Sequence, residues 1–338
     1  MSLEKGNNLS GGDSQTLAYG ARCSADVDEH ASHISAWEQE YDQISSGSFS
    51  GQVRELLLAG AGVQLFHEYT LPATSQRCTP WPGSVWMGFA DMHSHQPLHF
   101  CGGEQAGSTG SMRSLLCASA SAGFTLRTPP HFGIYGVVMD VQWLQAQKEW
   151  LGLDPDRVLL EPSPCVALLE PGQHMALCRL MEQLLALGQR LQEQQADQGA
   201  WRLVLTQALL PQLLALLCSA SPQQQAQAAQ RRLALVMAAR DMVCSSAYQA
   251  LGVDALCQQL HVTRRTLHNH FQSTLGQSPA DFLKAVRLNA CRRALRDAQG
   301  PQTVQDIAAR WGFYHMGHFS QDYKRLFGAL PSETLHTP

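Results

Sequence analysis

Arg264, Arg265, His268, Asn269 and Gln272 recur at helical spacing, which gathers five hydrogen-bonding side chains along one polar side of a helix. Their types suit the edges of bases. An arginine fork matches guanine O6 and N7, and a terminal amide matches adenine N6 and N7. Thr263 stands directly before them and is a good N-cap, so the helix starts there and turns its first amide donors outward. Only Leu267 and Phe271 anchor this helix from within. In front of it, Val253, Leu256, Cys257 and Leu260 fall at i, i+3, i+4 and i+7, the signature of a short helix with one narrow buried face, followed by a turn at His261–Val262. A short helix, a tight turn and a half-polar second helix form the unit that lays its second helix in the DNA major groove. The pattern returns about fifty positions later, with Val304, Ile307, Ala308 and Trp311, a turn at Gly312–Tyr314, and a helix anchored by Phe319 and Tyr323. Two such units in one chain can read two successive groove faces without a dimer.

The elements that must position these residues sit in a chain of 338 residues, long enough for two sizeable cores. The net charge of −4 conceals an asymmetry: residues 231–338 carry 13 Lys+Arg against 7 Asp+Glu, leaving 11 against 21 for the rest. A basic C-terminal part beside an acidic N-terminal one fits a nucleic-acid module joined to something that avoids DNA. The ten cysteines are scattered without a C-x-x-C pair, which points to buried thiols in a reducing cytoplasm. No basic-then-apolar signal opens the chain. The most apolar stretch, Leu203 to Cys218, is interrupted by Gln207, Pro211 and Gln212 and is too short to span a bilayer, so it reads as a core helix and no membrane partner is expected.

Composition and periodicity divide the chain as follows. Residues 1–30, rich in Gly, Ser and Asn, read as a mobile tail. Ile34, Trp37, Tyr41 and Ile44 predict a short helix over 33–46. Val53–Leu58, Val63–Tyr69, Gly83–Phe89, Met112–Ala118, Phe124–Arg127 and Gly133–Met139 are short β-rich runs separated by Gly and Pro, which predicts a sandwich or small barrel able to enclose one small ligand. From 141 to 220 the period turns helical. The fold class expected is α+β: a β-rich, cupin-like or jelly-roll sensor over 31–140, a helical segment over 141–225 offering a homodimer surface, and an all-α DNA-binding domain over 231–338.

The C-terminal hundred residues resemble the AraC/XylS family of bacterial transcription regulators. The resemblance lies in L-x-V-x-x-L-C-x-x-L-x-V-T-R-R-T-L from 251 to 267, F-x-x-x-L-G-x-S-P-A-D-F-L at 271–283, V-R-L-N-A-C-R-R-A-L at 286–295, and I-A-A-R-W-G-F-Y-H-M-G-H-F-S-Q-D-Y-K-R-L-F-G from 307 to 328. It implies a cytoplasmic, non-enzymatic regulator with double-stranded DNA, a small-molecule effector and RNA polymerase as partners, and no cofactor required for DNA binding. By position, Arg265, His268 and Asn269 would face bases in the first unit, and Met316, Gly317, Ser320 and Gln321 in the second. Arg264, Lys324 and Arg325 would lie against phosphates. The second unit departs from the pattern: His315 holds a cap position where a better capping residue is usual, Gln321 replaces a frequent arginine, and Asp322 adds a negative charge. The first unit is therefore expected to carry most of the direct readout.

In the N-terminal half, I-S-A-W-E-Q-E-Y-D-Q-I at 34–44, G-S-F-S-G at 47–51, Q-L-F-H-E-Y-T at 64–70 and W-P-G-S-V-W-M-G-F at 81–89 are similar to family members that activate ethanolamine-utilisation genes. That resemblance implies ethanolamine and adenosylcobalamin as effectors. The residues offer support of their own: Trp37, Tyr41, Phe66, Tyr69, Trp81, Trp86 and Phe89 concentrate aromatic faces that attract a protonated amine, and Glu68 or Asp91 can pair with it. The plainer reading is that these aromatics are strand core. Met92-His93-Ser94-His95, with His99, resembles the H-x-H metal motif of cupin enzymes, but Leu98-His99 stands where the glutamate belongs. The segment therefore reads as a solvated loop and no metal site is assigned. A metal-dependent, cupin-like enzyme carrying a DNA module is the alternative. No cysteine has a base and orienter at motif spacing, and no phosphate-binding glycine loop is present, so no catalytic residue is assigned.

Overall fold

A computed structural model describes residues 17–105, 112–151, 163–194, 198–223, 227–245 and 251–335. The N-terminal half runs β1 (Leu17–Ser24), α1 (Val27–Ala31), β2 (Glu38–Gln43), β3 (Gly51–Leu58), β4 (Val63–Thr70), β5 (Thr74–Thr79), β6 (Ser84–Ala90), β7 (Leu98–Phe100), β8 (Gly103–Gln105), β9 (Arg113–Ser119), β10 (Phe124–Thr128) and β11 (Phe132–Asp140). There follow α2 (Val141–Leu151), β12 (Cys165–Leu169), α3 (Pro171–Glu193), α4 (Gln198–Val204), α5 (Leu210–Cys218) and β13 (Ser221–Gln223). The strands form two antiparallel sheets, one in the order β1-β3-β4-β11-β6-β9-β12-β13 and a smaller one in the order β2-β5-β10-β7-β8.

Packing explains the two sequence textures. The large sheet is covered on both sides. Phe66, Trp86, Leu116, Ile134 and Val138 face the small sheet, while Leu56, Leu65, Met87, Leu115 and Val137 face a layer built by α3 and α5. Central strands β6 and β11 are therefore buried almost end to end and apolar between Ser84 at the start of one and Asp140 at the end of the other, as strands covered on both faces must be. Gly136 and Gly88 lie opposite each other in these strands, and a Cβ there would come within 2.0 Å of the Phe66 ring and 2.1 Å of the Trp86 ring. The two glycines make the room that the interior aromatics fill.

The six β-rich runs coincide with β3, β4, β6, β9, β10 and β11 to within two residues. Three expectations are corrected. Residues 17–30, assigned to a tail, form β1 and most of α1, because β1 pairs with β3 along its whole length from Leu17↔Leu58 to Ser24↔Gly51 and needs few apolar side chains to do so; residues 1–16 lie outside the described residues. The helix expected over 33–46 is absent. Ala36 takes a left-handed φ of 62°, and β2 then pairs with β5, a tertiary ladder that overrides the local spacing. The segment 141–225 is not wholly helical, since β12 and β13 extend the large sheet.

The C-terminal part is all helical: α6 (Gln227–Ser245), α7 (Val253–Gln259), α8 (Arg264–Leu275), α9 (Pro279–Arg296), α10 (Val304–Arg310), α11 (Met316–Phe327) and α12 (Pro331–Leu335). It has two cores. Val236, Leu256, Leu267 and Phe271 build the first with Phe282, Leu283 and Val286 of α9. Ile307, Phe319 and Tyr323 build the second with Leu288, Cys291 and Leu295 of the same helix. The connector α9 thus belongs to both cores and sets one helix-turn-helix unit against the other. No helix of the described residues is long and apolar enough to cross a membrane.

Candidate nucleic-acid interface

The first unit is built by α7 and α8. His261 turns the chain with a φ of 53°, and the Thr263 hydroxyl then caps α8 by accepting from the Thr266 N–H at 3.1 Å. Leu267 and Phe271 face inward, the Phe271 ring 5.3 Å from that of Phe282. The opposite side presents Arg265, His268, Asn269 and Gln272 to solvent, so the structure brings the first expected base-facing set together on one open surface. Arg264 is exposed too, but it is engaged in an ion pair with Asp254 of α7. The Arg264 hydrogen bond holds the Asp254 carboxyl below its ordinary range. A phosphate must therefore compete with Asp254 for this guanidinium.

The second unit is built by α10 and α11. Thr303 and Asp306 close a capping box at the start of α10. At α11 the cap residue His315 makes no side-chain hydrogen bond, in line with its poor capping chemistry. Gly317 and Gln321 are exposed, while Ser320 and Met316 are half-buried and Met316 packs against the second core. Lys324 and Arg325 are exposed, and Arg325 pairs with Asp322, whose carboxylate also lies 3.4 Å from Lys284 Nζ. Sequence reasoning missed Tyr314, 70% exposed at the turn before α11, and the exposed His318. The available signal was that Phe313 already fills the inward position of that turn, its ring 5.0 Å from Phe319, which leaves the next aromatic outside.

In the N-terminal half, the structure brings Trp37, Tyr41, Glu68 and Trp86 to the space between the sheets, with half-buried Trp81 at its margin. Trp86 stacks on Phe124 at 4.1 Å, and Trp37 stands edge-on to Phe66 at 5.6 Å with its indole N–H donating to Gln64 Oε1 at 2.8 Å. Glu68 lies 3.0 Å from His30 Nε2, and His30 Nδ1 lies 2.9 Å from the Ser24 hydroxyl. Burial, with Glu68 beside it, pushes the Tyr41 phenol well above its ordinary value, so it stays a donor. The Trp86 indole N–H is buried and has no hydrogen-bond partner. Sequence reasoning missed His30, Gln64 and Ser24, polar residues in stretches assigned to a tail or an ordinary strand.

Tyr69 and Asp91 do not join this group. Tyr69 points to the other face of β4, its hydroxyl 3.3 Å from His131 Nδ1. Asp91 follows β6 and lies 3.1 Å from His67 Nε2, in a cleft of about 470 Å³ that Arg54, Tyr135 and Glu182 also line. Burial alone would raise its carboxyl, but hydrogen bonds from His67, Ser94 and the His93 N–H outweigh burial and bring it down to about 2. His93 and His95 are exposed, and no group of three or more His, Cys, Asp or Glu able to hold a metal ion occurs among the described residues.

Comparison with known proteins gives the following. Residues 256–337 match the model of a helix-turn-helix domain. The chain is 38% identical over 104 residues to a probable thc operon regulatory protein of Rhodococcus erythropolis, covering 30% of this chain and 31% of that protein. It is 28% identical over 154 residues to the transcriptional activator RhaS of Escherichia coli O139:H28 (strain E24377A / ETEC), covering 46% of this chain and 54% of that one. The chain therefore spans from about a third to about half the length of these curated relatives. Among solved structures, an AraC-type transcriptional regulator of Chromobacterium violaceum is 25% identical with a TM-score of 0.29, covering 32% of this chain and 94% of that one. The AraC-like activator CuxR is 11% identical with a TM-score of 0.37, covering 86% of this chain and 100% of that one.

Proposed function

We propose that the chain is a ligand-responsive, DNA-binding transcription regulator of the AraC/XylS class, acting in the cytoplasm, with the helix-turn-helix match of residues 256–337 as its support. The class is non-enzymatic. The observation that carries the reading is the pair of helices, α8 and α11, each buried on one side, open and polar on the other, and joined through one connector. In this reading Arg265, His268 and Asn269 read base edges, Ser320 and Gln321 add weaker contacts with Met316 and Gly317 close to the groove floor, and Arg264, Lys324 and Arg325 hold phosphates. Selection of duplexes from a random-sequence DNA library by the full chain tests it; a folded chain that enriches no sequence would sink it.

The finer reading is an activator of ethanolamine-utilisation genes. Its support is the likeness of residues 34–89 and the side-chain types gathered between the sheets: the Trp37 and Trp86 indoles for a cation, Glu68 for its charge, and the unpartnered Trp86 N–H for a hydroxyl oxygen, with the Trp86–Phe124 stack and the Glu68–His30 pair as the contacts an amine must displace. Adenosylcobalamin does not fit there. Trp37, Phe66, Trp86, Phe100 and Phe124 fill the space between the sheets, and a corrinoid is far larger than that space. Titration calorimetry with ethanolamine and adenosylcobalamin, separately and together, tests both. Saturable ethanolamine heat that Trp86→Phe abolishes supports the interior site; no heat from the folded chain ends the ethanolamine reading and leaves DNA binding standing. Homodimer formation through the 141–225 segment is supported by exposed Trp201, Leu203 and Val204, and a monomer in sedimentation at micromolar concentration would remove it.

A further inference from the structure

The outer face of the small sheet is only partly open to solvent, with Arg77 and Glu104 at its exposed margin. It lies against the DNA-binding helices and touches both recognition helices at the same place, their last turn. From β10, Arg127 Nη1 donates to the Leu275 carbonyl at 2.5 Å and Nη2 to Gln277 Oε1 at 3.4 Å. From the end of β2, Gln43 Nε2 donates to the Leu326 carbonyl at 2.6 Å, and the Gly47 N–H reaches the same carbonyl at 3.1 Å. Both helices then end on left-handed glycines, Gly276 and Gly328. A Cβ at Gly328 would come within 2.9 Å of the Ser48 nitrogen, so the sensor backbone is seated directly on the end of α11. The C-terminal carbonyls of a helix are its negative end and lack internal donors, which makes them natural seats for a guanidinium and an amide.

The connector is held from the same sheet. Asn289 of α9 takes up the free edge of β2: its Oδ1 accepts from the Gln43 N–H at 3.0 Å and its Nδ2 donates to the Gln43 carbonyl at 2.9 Å. Around this pair, Asp42 meets Arg240 at 2.9 Å and also Arg293, and Asp28 meets Arg292 at 2.7 Å, Arg293 at 3.2 Å and Arg296 at 3.3 Å. On the strands themselves, Tyr41 and Leu126 face the sensor interior while their neighbours Asp42 and Arg127 face the helices. A change felt by the interior side chains reaches the helix-holding side chains one residue away.

We propose that Arg127 and Gln43 are positioning residues for DNA reading: the β2–β5–β10 face grips α8 and α11 by their C-terminal carbonyls and so fixes the separation and angle at which the two helices meet adjacent grooves. The proposal rests on the DNA-binding reading. Its consequence is that the sensor, and not the helical part alone, sets the operator spacing the protein accepts.

Two measurements on the full chain decide it. The first is amide hydrogen exchange of wild type, Arg127→Met and Arg127→Lys, which needs no DNA. Arg127→Met is expected to speed exchange at least tenfold in the last turn of α8 while β6 and β11 stay protected, and Arg127→Lys, which retains a donor, to restore most of that protection. Unchanged exchange in Arg127→Met overturns the proposal. The second uses the duplex that wild type enriches from the random library, with one or two base pairs inserted between its two boxes. Wild type is expected to lose at least tenfold in affinity per insertion and Arg127→Met less than threefold; equal losses overturn it. If wild type enriches no duplex, the regulator reading fails, and the exchange result still decides whether Arg127 holds α8.

Discussion

Asn289→Ala isolates the junction between β2 and α9. Asn289 is 1% exposed and makes three hydrogen bonds, from the Gln43 N–H, to the Gln43 carbonyl and to the Ala285 carbonyl. The Ala285 carbonyl lies within α9 and keeps its helical partner in the variant. Both Gln43 groups lose theirs, in a place where Gln43 itself is 1% exposed. A buried polar group left unpaired costs about 1–3 kcal/mol, so two cost on the order of 2–6; the void left by the amide admits some solvent, and we expect about 3 kcal/mol. Urea unfolding of the full chain, followed by tryptophan fluorescence, reads the loss. Asn289→Asp sharpens the test. The new carboxylate still accepts from the Gln43 N–H but cannot donate to either carbonyl, so the loss at about pH 7 is expected to exceed that of alanine and to shrink as acid protonates it. A cost below about 1 kcal/mol for alanine, with no pH dependence for aspartate, would refute the reasoning by showing that the two Gln43 groups find water as readily as they find Asn289.

Arg265→Ala is expected to cost about 1–3 kcal/mol in binding and to relax specificity at one base pair; equal weakening on every duplex would make Arg265 a phosphate contact. With Arg264, Lys324 and Arg325 as the phosphate contacts, log K against log salt is expected to fall with a slope of about −3, and a slope near −6 would mean that the arginines facing the N-terminal half reach DNA as well. Asp91, held down to about 2, contributes stability that is present above the usual carboxylate range and is lost as pH falls towards 2. Asp91→Asn should therefore cost about 2 kcal/mol near neutral pH, a gap that closes below about pH 4 in acid denaturation; a gap that persists in acid would show the hydrogen bonds do not depend on the charge. Burial pushes the Cys178 and Cys291 thiols up to about 12 while Cys23 is exposed, so a thiol reagent should label Cys23 first and reach those two only on unfolding; early labelling of Cys291 would mean that α9 opens in the folded chain.

What was legible in the sequence follows from how local each signal is. The helix-turn-helix units are written in neighbouring residues: Thr263 caps α8, Gly276 ends it, and Leu267 and Phe271 fix its buried side within one short segment. Strands buried on both faces, such as β6 and β11, announce themselves by apolar runs. β1, β2 and β5 do not, because T-S-Q-R-C-T and E-Q-E-Y-D-Q become strands only through partners distant in the chain. The interior group was legible in part. Trp37, Tyr41, Glu68 and Trp86 are assembled as their types suggested, but Tyr69 and Asp91 leave it for a reason of period: Tyr69 is one residue from Glu68 on β4 and so must point to the other face. His30, which completes the Glu68 pair, had no periodic signal at all.

The charge asymmetry of the chain acquires a different meaning once the partners are known. Read as composition, 13 cationic residues after position 230 look like an electrostatic footprint for DNA. Four of them, Arg240, Arg292, Arg293 and Arg296, are turned away from the recognition faces and into Asp26, Asp28, Glu40 and Asp42. Arg240 and Asp42 are almost wholly buried, where a lone charge would be strongly unfavourable, so each side requires the other. The acidic excess of the N-terminal part is thus in some measure the complement of the helical part's own arginines. Separating the two parts would expose an arginine-rich face on α9 that has no role in reading bases and would bind polyanions without discrimination. On the proposed reading docking therefore does two things: through Arg127 and Gln43 it sets the geometry of α8 and α11, and through Asp26, Asp28, Glu40 and Asp42 it covers cationic surface that would otherwise dilute their specificity.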